Sequence, residues 1–249
     1  IINMKKYQLF VLLAFLIVPF QGDAAWPYTE TDACTTITHP TPSLPGKLGT
    51  VTDNLFGTTI KQLTDITNDI SGVPAASIAY GTWDPVSNDD KYILIAANGY
   101  RLFYLDNGAY VKSMGTWLAW WNGQDAEGRW DRTGNNNARL YYRQDMSLKW
   151  VNVETGETGT VRNFAADFPS YTTHYVYNGE EGSPSQNTRY WIFMIKNNNS
   201  PYDAPLVFTY DIVDNVILGT LDISGSGVDH VEVSPWGDYV EVSYVTNQS

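Results

Sequence analysis

A pattern of polar turns followed by apolar runs recurs along this chain, and it constrains the fold more than any other feature. Each occurrence has a short turn rich in Pro, Gly, Asn or Asp, and then an apolar run that suits a β-strand. The pattern repeats about every 50 residues, a period typical of repeat architectures. The four turns lie at residues 82–90, 129–137, 182–188 and 233–238.

Three of the repeats carry a second signature, in which a strand, a tight polar turn and another strand follow one another. This arrangement predicts a β-hairpin. The hairpin supplies two strands of each repeat. The apolar run after the first polar turn supplies a third, and the short run ahead of that turn a fourth. Four antiparallel strands per repeat are typical of a β-propeller blade. A β-sandwich also has closely spaced strands, but the repeated order of turn types favours the propeller. The hairpin turns are Asp106-Asn107-Gly108, Glu154-Thr155-Gly156-Glu157 and Val213-Asp214-Asn215.

The predicted fold is therefore all-β, a β-propeller of four-stranded antiparallel blades. Propellers have typically four to eight blades. We expect an incomplete arc of three and a half blades here, as the N-terminal part of a longer chain. The propeller is predicted over residues 56–249, with blades at about 76–117, 125–165 and 172–223 and a partial blade at 228–249.

One turn carries a resemblance to a known family. Ser234-Pro235-Trp236-Gly237-Asp238-Tyr239 is similar to the Ser-Pro-x-Gly-x-Tyr turn that opens the second strand of a blade in TolB-like and WD-repeat-like secreted bacterial propellers. Ser183-Pro184 is a weaker copy, and the Trp-Asp dipeptides at 83–84 and 130–131 belong to degenerate ones. The resemblance covers about residues 55–249, and its turn motifs imply the fold alone.

Two details qualify the resemblance. The Trp-Asp dipeptides precede the second strand and no Gly-His element accompanies them, unlike the blades of eukaryote-type WD-repeat proteins. Residues 56–65 resemble the first strand of such propellers, which in the family completes the last blade and closes the ring. We expect this strand to lack its intended partner.

The N-terminal residues have the features of a secretory signal peptide. Two lysines precede an apolar run at residues 9–20, and small residues surround a cleavage point after Ala24. A buried N-terminal helix is the alternative. Residues 1–24 are thus predicted as a bacterial-type signal peptide, and residues 25–55 as an extended lead-in. The protein is expected to be secreted or periplasmic, without membrane insertion after the signal is removed.

Composition excludes several function classes. Lys and Arg total 15 against 27 Asp and Glu, so the net charge is −12 and nucleic-acid binding is not expected. The single cysteine, Cys34, excludes a disulfide framework and a Cys-rich zinc site, although its partner could lie outside this sequence. No P-loop, His-Glu-x-x-His, nucleophile elbow or EF-hand pattern occurs, so no cofactor or metal is predicted.

Weak candidates for catalysis lie near the predicted axis of the propeller. His174 and His230 fall just ahead of, or within, the innermost strand of a blade, where they could line one channel with Glu180, Glu181 and Asp229. Two histidines and a carboxylate suit metal binding, and propeller-type polysaccharide lyases such as oligogalacturonate lyases use histidine-rich sites at the axis. Blade packing or solvation is the simpler interpretation of these residues.

Candidate ligand-binding residues lie in the connector between the first two blades. Trp117, Trp120 and Trp121 could stack on sugar rings or pack between adjacent blades. Three functions remain open. The first and favoured one is an extracytoplasmic module that binds a protein or polysaccharide partner through blade loops. The others are a polysaccharide lyase or glycoside hydrolase with an axial site, and a structural repeat of a larger cell-surface protein.

Overall fold

The computed structural model describes residues 43, 45–53, 57–78, 83–118, 128–179, 182–197 and 204–244. The predicted signal peptide, Cys34, Trp120, Trp121, Glu180 and Glu181 all lie outside these residues. The chain divides into two compact units, Ile1–Ser43 with Thr52–Thr59 and Leu44–Val51 with Ile60–Ser249. The blade sheets described below belong to the second unit. No helix in the described part of the chain is long and apolar enough to cross a membrane.

Consecutive strands pair as antiparallel meanders. The first sheet contains β3 (Tyr92–Ala96), β4 (Tyr100–Tyr104) and β5 (Tyr110–Ser113). The second contains β6 (Arg129–Trp130), β7 (Arg139–Gln144), β8 (Ser147–Asn152) and β9 (Thr158–Asn163). The third contains β10 (Tyr175–Tyr177), β11 (Tyr190–Lys196), β12 (Leu206–Asp211) and β13 (Val216–Asp222), and the fourth β14 (Val228–Val233) and β15 (Val240–Tyr244).

The first sheet lacks a regular fourth strand. In its place, two isolated bridges join Ser77 to Ala96 and Val86 to Ile93 along the free side of β3. The paired segments of the first repeat therefore have the same order as the strands of the two four-stranded sheets. The protein is all-β, and its sheets are three and a half β-propeller blades, as the recurring pattern predicts.

A two-stranded sheet precedes the blades. It pairs β1 (Thr50–Thr52) with β2 (Thr59–Lys61), and a single helical turn, α1 (Ile66–Asp69), follows. β2 lies inside the segment expected to complete the last blade, but its described pairing is with β1. Two 3-10 turns, Phe164–Ala166 and Pro169–Tyr171, connect the second and third blades.

The three predicted hairpins are confirmed as the pairs β4–β5, β8–β9 and β12–β13. Each turn places one residue in the left-handed region, where glycine and asparagine are favoured. These residues are Gly108 (φ 60°), Gly156 (φ 77°) and Asn215 (φ 55°).

The core lies between neighbouring sheets, because successive side chains of a strand point to opposite faces. In β7, Leu140 and Tyr142 pack in the cluster shared with the first sheet, and Tyr141 packs in the cluster shared with the third. In β11, Phe193 belongs to that second cluster and Met194 to the next, with β14. Strands buried on both faces read as continuous apolar runs, which explains the composition of β11.

A buried carboxylate fixes the end of β12. Asp211 Oδ1 accepts hydrogen bonds from the backbone N–H groups of Val213 (2.8 Å) and Asp214 (3.1 Å). Its Oδ2 accepts from Arg189 Nε (2.9 Å) and Nη2 (2.7 Å), and only 3% of the Asp211 side chain is exposed. Burial acts to raise the pKa of Asp211, but the bonds from Arg189 and the two backbone groups outweigh it, so the pKa lies below its usual value.

Replacing Asp211 tests this ion pair. We expect Asp211→Asn to lower the free energy of unfolding by about 1–3 kcal/mol at pH 7, because a charge-assisted bond to Arg189 is lost. Because the pKa of Asp211 is lower in the folded than in the unfolded protein (about 3.9), its ionised carboxylate stabilises the fold at pH values above the unfolded pKa. This stabilisation is lost as the pH falls through the folded-state pKa. The difference between the proteins in urea denaturation should therefore shrink at acid pH. Asp214→Asn, which removes the 62% exposed second partner of Arg189, should have a much smaller effect.

Candidate functional site

The turns that open the second strand of a blade share one hydrogen-bond pattern in three repeats. A serine Oγ accepts from the backbone N–H of a tyrosine five positions on, at 2.9–3.0 Å. The serine N–H donates in return to the carbonyl of the same tyrosine, at 2.9 Å. We call this reciprocal pair the Ser–Tyr clamp. Its members are Ser87–Tyr92, Ser185–Tyr190 and Ser234–Tyr239.

The clamp closes only if the fourth residue of the turn takes a left-handed conformation. Three different residue types do so: Asp90 (φ 55°), Thr188 (φ 53°) and Gly237 (φ 82°). The second repeat has Asp131 in place of the serine, and its N–H donates to the carbonyl of Arg139 across a longer turn (2.9 Å). The four turns 87–92, 131–139, 185–190 and 234–239 together form what we call the turn face.

The clamp corrects the alignment of the repeats. Ser185, not Ser183, is the structural counterpart of Ser234, because the acceptor hydroxyl defines the turn and the neighbouring proline does not. The two Trp-Asp dipeptides are likewise not equivalent. Trp83 lies four residues before its clamp serine, whereas Trp130 immediately precedes Asp131.

Arg132 links the first three turns. Its Nη2 donates to the carbonyl of Val86 (2.6 Å) and lies 2.7 Å from the Asp84 carboxylate, both in the first repeat. Its backbone N–H donates to Thr188 Oγ1 in the third (2.8 Å). An arginine can serve several acceptors at once because its guanidinium carries five N–H donors.

Two further bonds complete the connection. The side-chain amide of Asn88 donates to Asn137 Oδ1 (3.0 Å), from the first repeat to the second. The backbone N–H of Gln186 donates to the carbonyl of Pro235 (2.9 Å), from the third repeat to the fourth. Hydrogen bonds therefore fix the relative positions of all four turns.

A groove of about 330 Å³ crosses the turn face. It draws on every repeat and is lined by Asn88, Arg132, Gln186, Asn187, Pro235 and Trp236. Trp236 has 78% of its surface exposed. A second cleft of about 210 Å³ also has Arg132 and Gln186 in its lining, and it reaches the buried Arg129. We call the first of these the turn-face groove.

The groove is polar but has little net charge. Arg132 is the one cation among the described residues that line it, and it is compensated by Asp84. The side chains of Asn88, Gln186 and Asn187 are exposed neutral amides. Asn187 Oδ1 accepts from Ser185 Oγ (2.8 Å), which orients that amide within the turn.

Arg129 occupies the innermost strand of the second blade. Its guanidinium lies 3.9 Å from the centre of the Trp83 ring and donates to the carbonyls of Gly128 (3.3 Å) and Gly182. A cation stacked on a tryptophan face is stabilised by the negative potential of the ring. Arg129 therefore ties the inner edges of the first three repeats together.

The axial candidates from the sequence are partly brought together. His230 lies in β14, with its Nδ1 4.0 Å from the Asp229 carboxylate. Glu232, on the same strand, has a raised pKa because of burial and because Glu241 stands directly opposite on β15. The charges of His230 and Arg129 partly offset this shift.

The remaining axial candidates are less closely connected. His174 directly precedes β10, and its ring contacts Tyr171 edge-on at 5.2 Å. Glu180 and Glu181 fall outside the described residues, but the backbone on both sides of them is bonded to β14. Val231 N–H donates to the Asn178 carbonyl and Val233 N–H to the Ser183 carbonyl, both at 3.0 Å. Among the residues that can be described, no three His, Cys, Asp or Glu side chains form a group that could hold a metal.

Of the candidate tryptophans, Trp117 can be located. It is partly buried and packs against the core cluster between the first and second sheets. The turn motif contains Trp236 but does not by itself predict a ligand contact there. The signal in the sequence is an indole at the variable position of a tight turn, where few neighbours can cover it.

Comparisons with known proteins find similarity to solved structures alone. No protein-family model matches the chain, and no curated protein does. Among solved structures, an oligogalacturonate lyase from Vibrio parahaemolyticus matches with a TM-score of 0.49 and 13% identity, over 81% of this chain and 54% of its own. Kluyveromyces lactis Hsv2 matches with a TM-score of 0.38 and 10% identity, over 74% of this chain and 48% of its own. The chain thus spans about half the length of either. Likenesses this distant carry no functional argument, and the blade assignment rests on the strand pairing.

Two glycines test how the turn face is built. Gly237 and Gly134 have nearly the same φ, 82° and 84°. A Cβ on Gly237 would overlap the Tyr190 ring of the preceding repeat, whereas Gly134 has open space. We expect Gly134→Ala to cost about 1–2 kcal/mol of unfolding free energy through backbone strain. Gly237→Ala should cost about 1–3 kcal/mol more through the clash. If urea denaturation gave equal losses of unfolding free energy for the two variants, the turn of the fourth repeat would not be packed against Tyr190 of the third.

Proposed function

We propose that this protein is an extracytoplasmic β-propeller module that binds a protein or glycan partner on its turn face. The turn-face groove carries this proposal. Turns from all four repeats contribute to one concave surface of about 330 Å³, and Trp236 is 78% exposed within its lining. Ligand sites are typically concave, with a few polar groups placed around apolar ones.

Trp236 is the strongest single indication of binding. A tryptophan exposed to this degree contributes little to the core, and its large flat surface is costly to leave in water. Tryptophan is also among the residues that dominate binding energies at interfaces. Its position beside exposed amides gives the groove both an apolar platform and polar groups that can orient a ligand.

The turn face is also preorganised. The Ser–Tyr clamp fixes the fourth-repeat turn internally, and the bond from Gln186 N–H to the Pro235 carbonyl fixes it to the third. Arg132 and Asn88 hold the first two turns in the same way. A rigid site loses less conformational entropy when a ligand binds, so more of the contact energy appears as affinity.

Paired aromatic variants test the binding site. Tyr244 is an exposed aromatic residue (48%) that lies outside the four turns and does not line the groove, so it is the control. The wild-type protein, Trp236→Ala and Tyr244→Ala would be applied to glycan and peptide arrays. We expect ligands of the wild type to be retained by Tyr244→Ala and lost by Trp236→Ala. Binding that survives in both variants, or no wild-type binding, would contradict the proposal.

The extracytoplasmic location rests on the first 24 residues, whose basic start, apolar run and small residues are typical of a signal peptide. Fusing residues 4–30 to alkaline phosphatase in a bacterial host should give an active reporter outside the cytoplasm. Leu13→Arg in the apolar run should abolish export. N-terminal sequencing of the exported product should begin at Ala25. An uncut or cytoplasmic reporter would contradict the location.

A further inference from the structure

We infer that the turn-face groove binds an uncharged oligosaccharide, an inference that rests on the proposed binding function and names its ligand class. The groove combines one exposed indole, Trp236, with three exposed carboxamides, Asn88, Gln186 and Asn187. A carboxamide has two N–H donors and a carbonyl acceptor. Asn88 uses one N–H for Asn137 and Asn187 uses its carbonyl for Ser185, but each keeps N–H donors that can face a ligand. Sugar hydroxyls are both donors and acceptors, so an amide can serve two neighbouring hydroxyls of one ring.

The indole supplies the other half of sugar recognition. A pyranose ring has an apolar face of C–H groups and a rim of hydroxyls. Trp236 offers a flat apolar surface for the first, in the same groove as the three amides. With about 330 Å³ in the groove and about 210 Å³ in the cleft that shares Arg132 and Gln186, the space falls within the range of small-ligand sites.

Charge disfavours an acidic polysaccharide. Recognition of a carboxylate is strongest when an arginine is available for a bidentate contact. Arg132 is already paired with Asp84 at 2.7 Å and donates to the Val86 carbonyl at 2.6 Å. The chain as a whole carries a net charge of −12, which repels polyanions.

Backbone bonding disfavours an extended peptide. Such peptides usually add a strand to a sheet edge through main-chain hydrogen bonds. In the turns that line the groove, the N–H groups of Ser185 and Ser234 are used by the Ser–Tyr clamps, and that of Gln186 bonds to Pro235. Side chains rather than backbone therefore form the recognition surface, which suits a ligand with many hydroxyls.

The test is isothermal titration of the full chain with cellohexaose, mannohexaose, xylohexaose and maltohexaose, and with hexagalacturonate as the acidic counterpart. We expect at least one neutral hexasaccharide to bind and hexagalacturonate not to bind. Trp236→Ala should weaken that binding about tenfold or more, corresponding to the loss of a stacked ring. Gln186→Ala should weaken it as well, whereas Tyr244→Ala should leave it within about twofold.

Salt provides a second readout. Binding of a neutral sugar should hardly change between 50 and 500 mM NaCl, because no ion pair is formed. If hexagalacturonate binds instead, with strong salt dependence and through Trp236, the ligand class is wrong while the binding site stands. The same holds if peptides alone bind through Trp236 on the arrays. If neutral sugars bind equally well to Trp236→Ala, the groove is not their site. If neither sugars nor peptides bind the wild type, the proposed function fails together with this inference.

Discussion

The Ser–Tyr clamp is the interaction on which the arrangement of the turns depends. A serine hydroxyl accepts the N–H of the residue that starts the next strand, and the serine N–H returns to the carbonyl of that residue. The backbone groups of the turn are thereby satisfied within it. The third position of the turn is Asp89, Asn187 or Trp236 in the three clamped repeats. The carboxylate and the amide accept from the clamp serine, whereas the indole of Trp236 is exposed and lines the groove.

Packing between blades supplies the second constraint. The second and third sheets each bury one face against the preceding sheet and the other against the following one, so β7 and β11 have apolar neighbours on both faces. Buried cations at the inner edge are accommodated by aromatic rings, as Arg129 is by Trp83. The exposed amides and the exposed indole of the turn face lie in the turns. The proposed binding surface and the buried core are thus separated along the strands.

Much of the fold could be predicted because it depends on local patterns. The hairpin turns at Gly108 and Gly156 need residues that tolerate a positive φ, and alternating or continuous apolar runs mark the strands between them. The alignment of the repeats with one another could not be predicted in the same way from the sequence. Prolines at 184 and 235 suggested one register, whereas the clamp serines at 185 and 234 establish another, because hydrogen bonds and not residue similarity define the turn.

By itself, the sequence determined the all-β class, the blade repeat and the acidic character, since each follows from local periodicity or composition. Only the tertiary structure decided which side chains share a surface. Asn88 and Trp236 are separated by most of the propeller sequence, yet both line one groove because Arg132 and Gln186 connect the intervening turns. A site of this kind depends on distances between repeats, and no periodicity within a repeat encodes them.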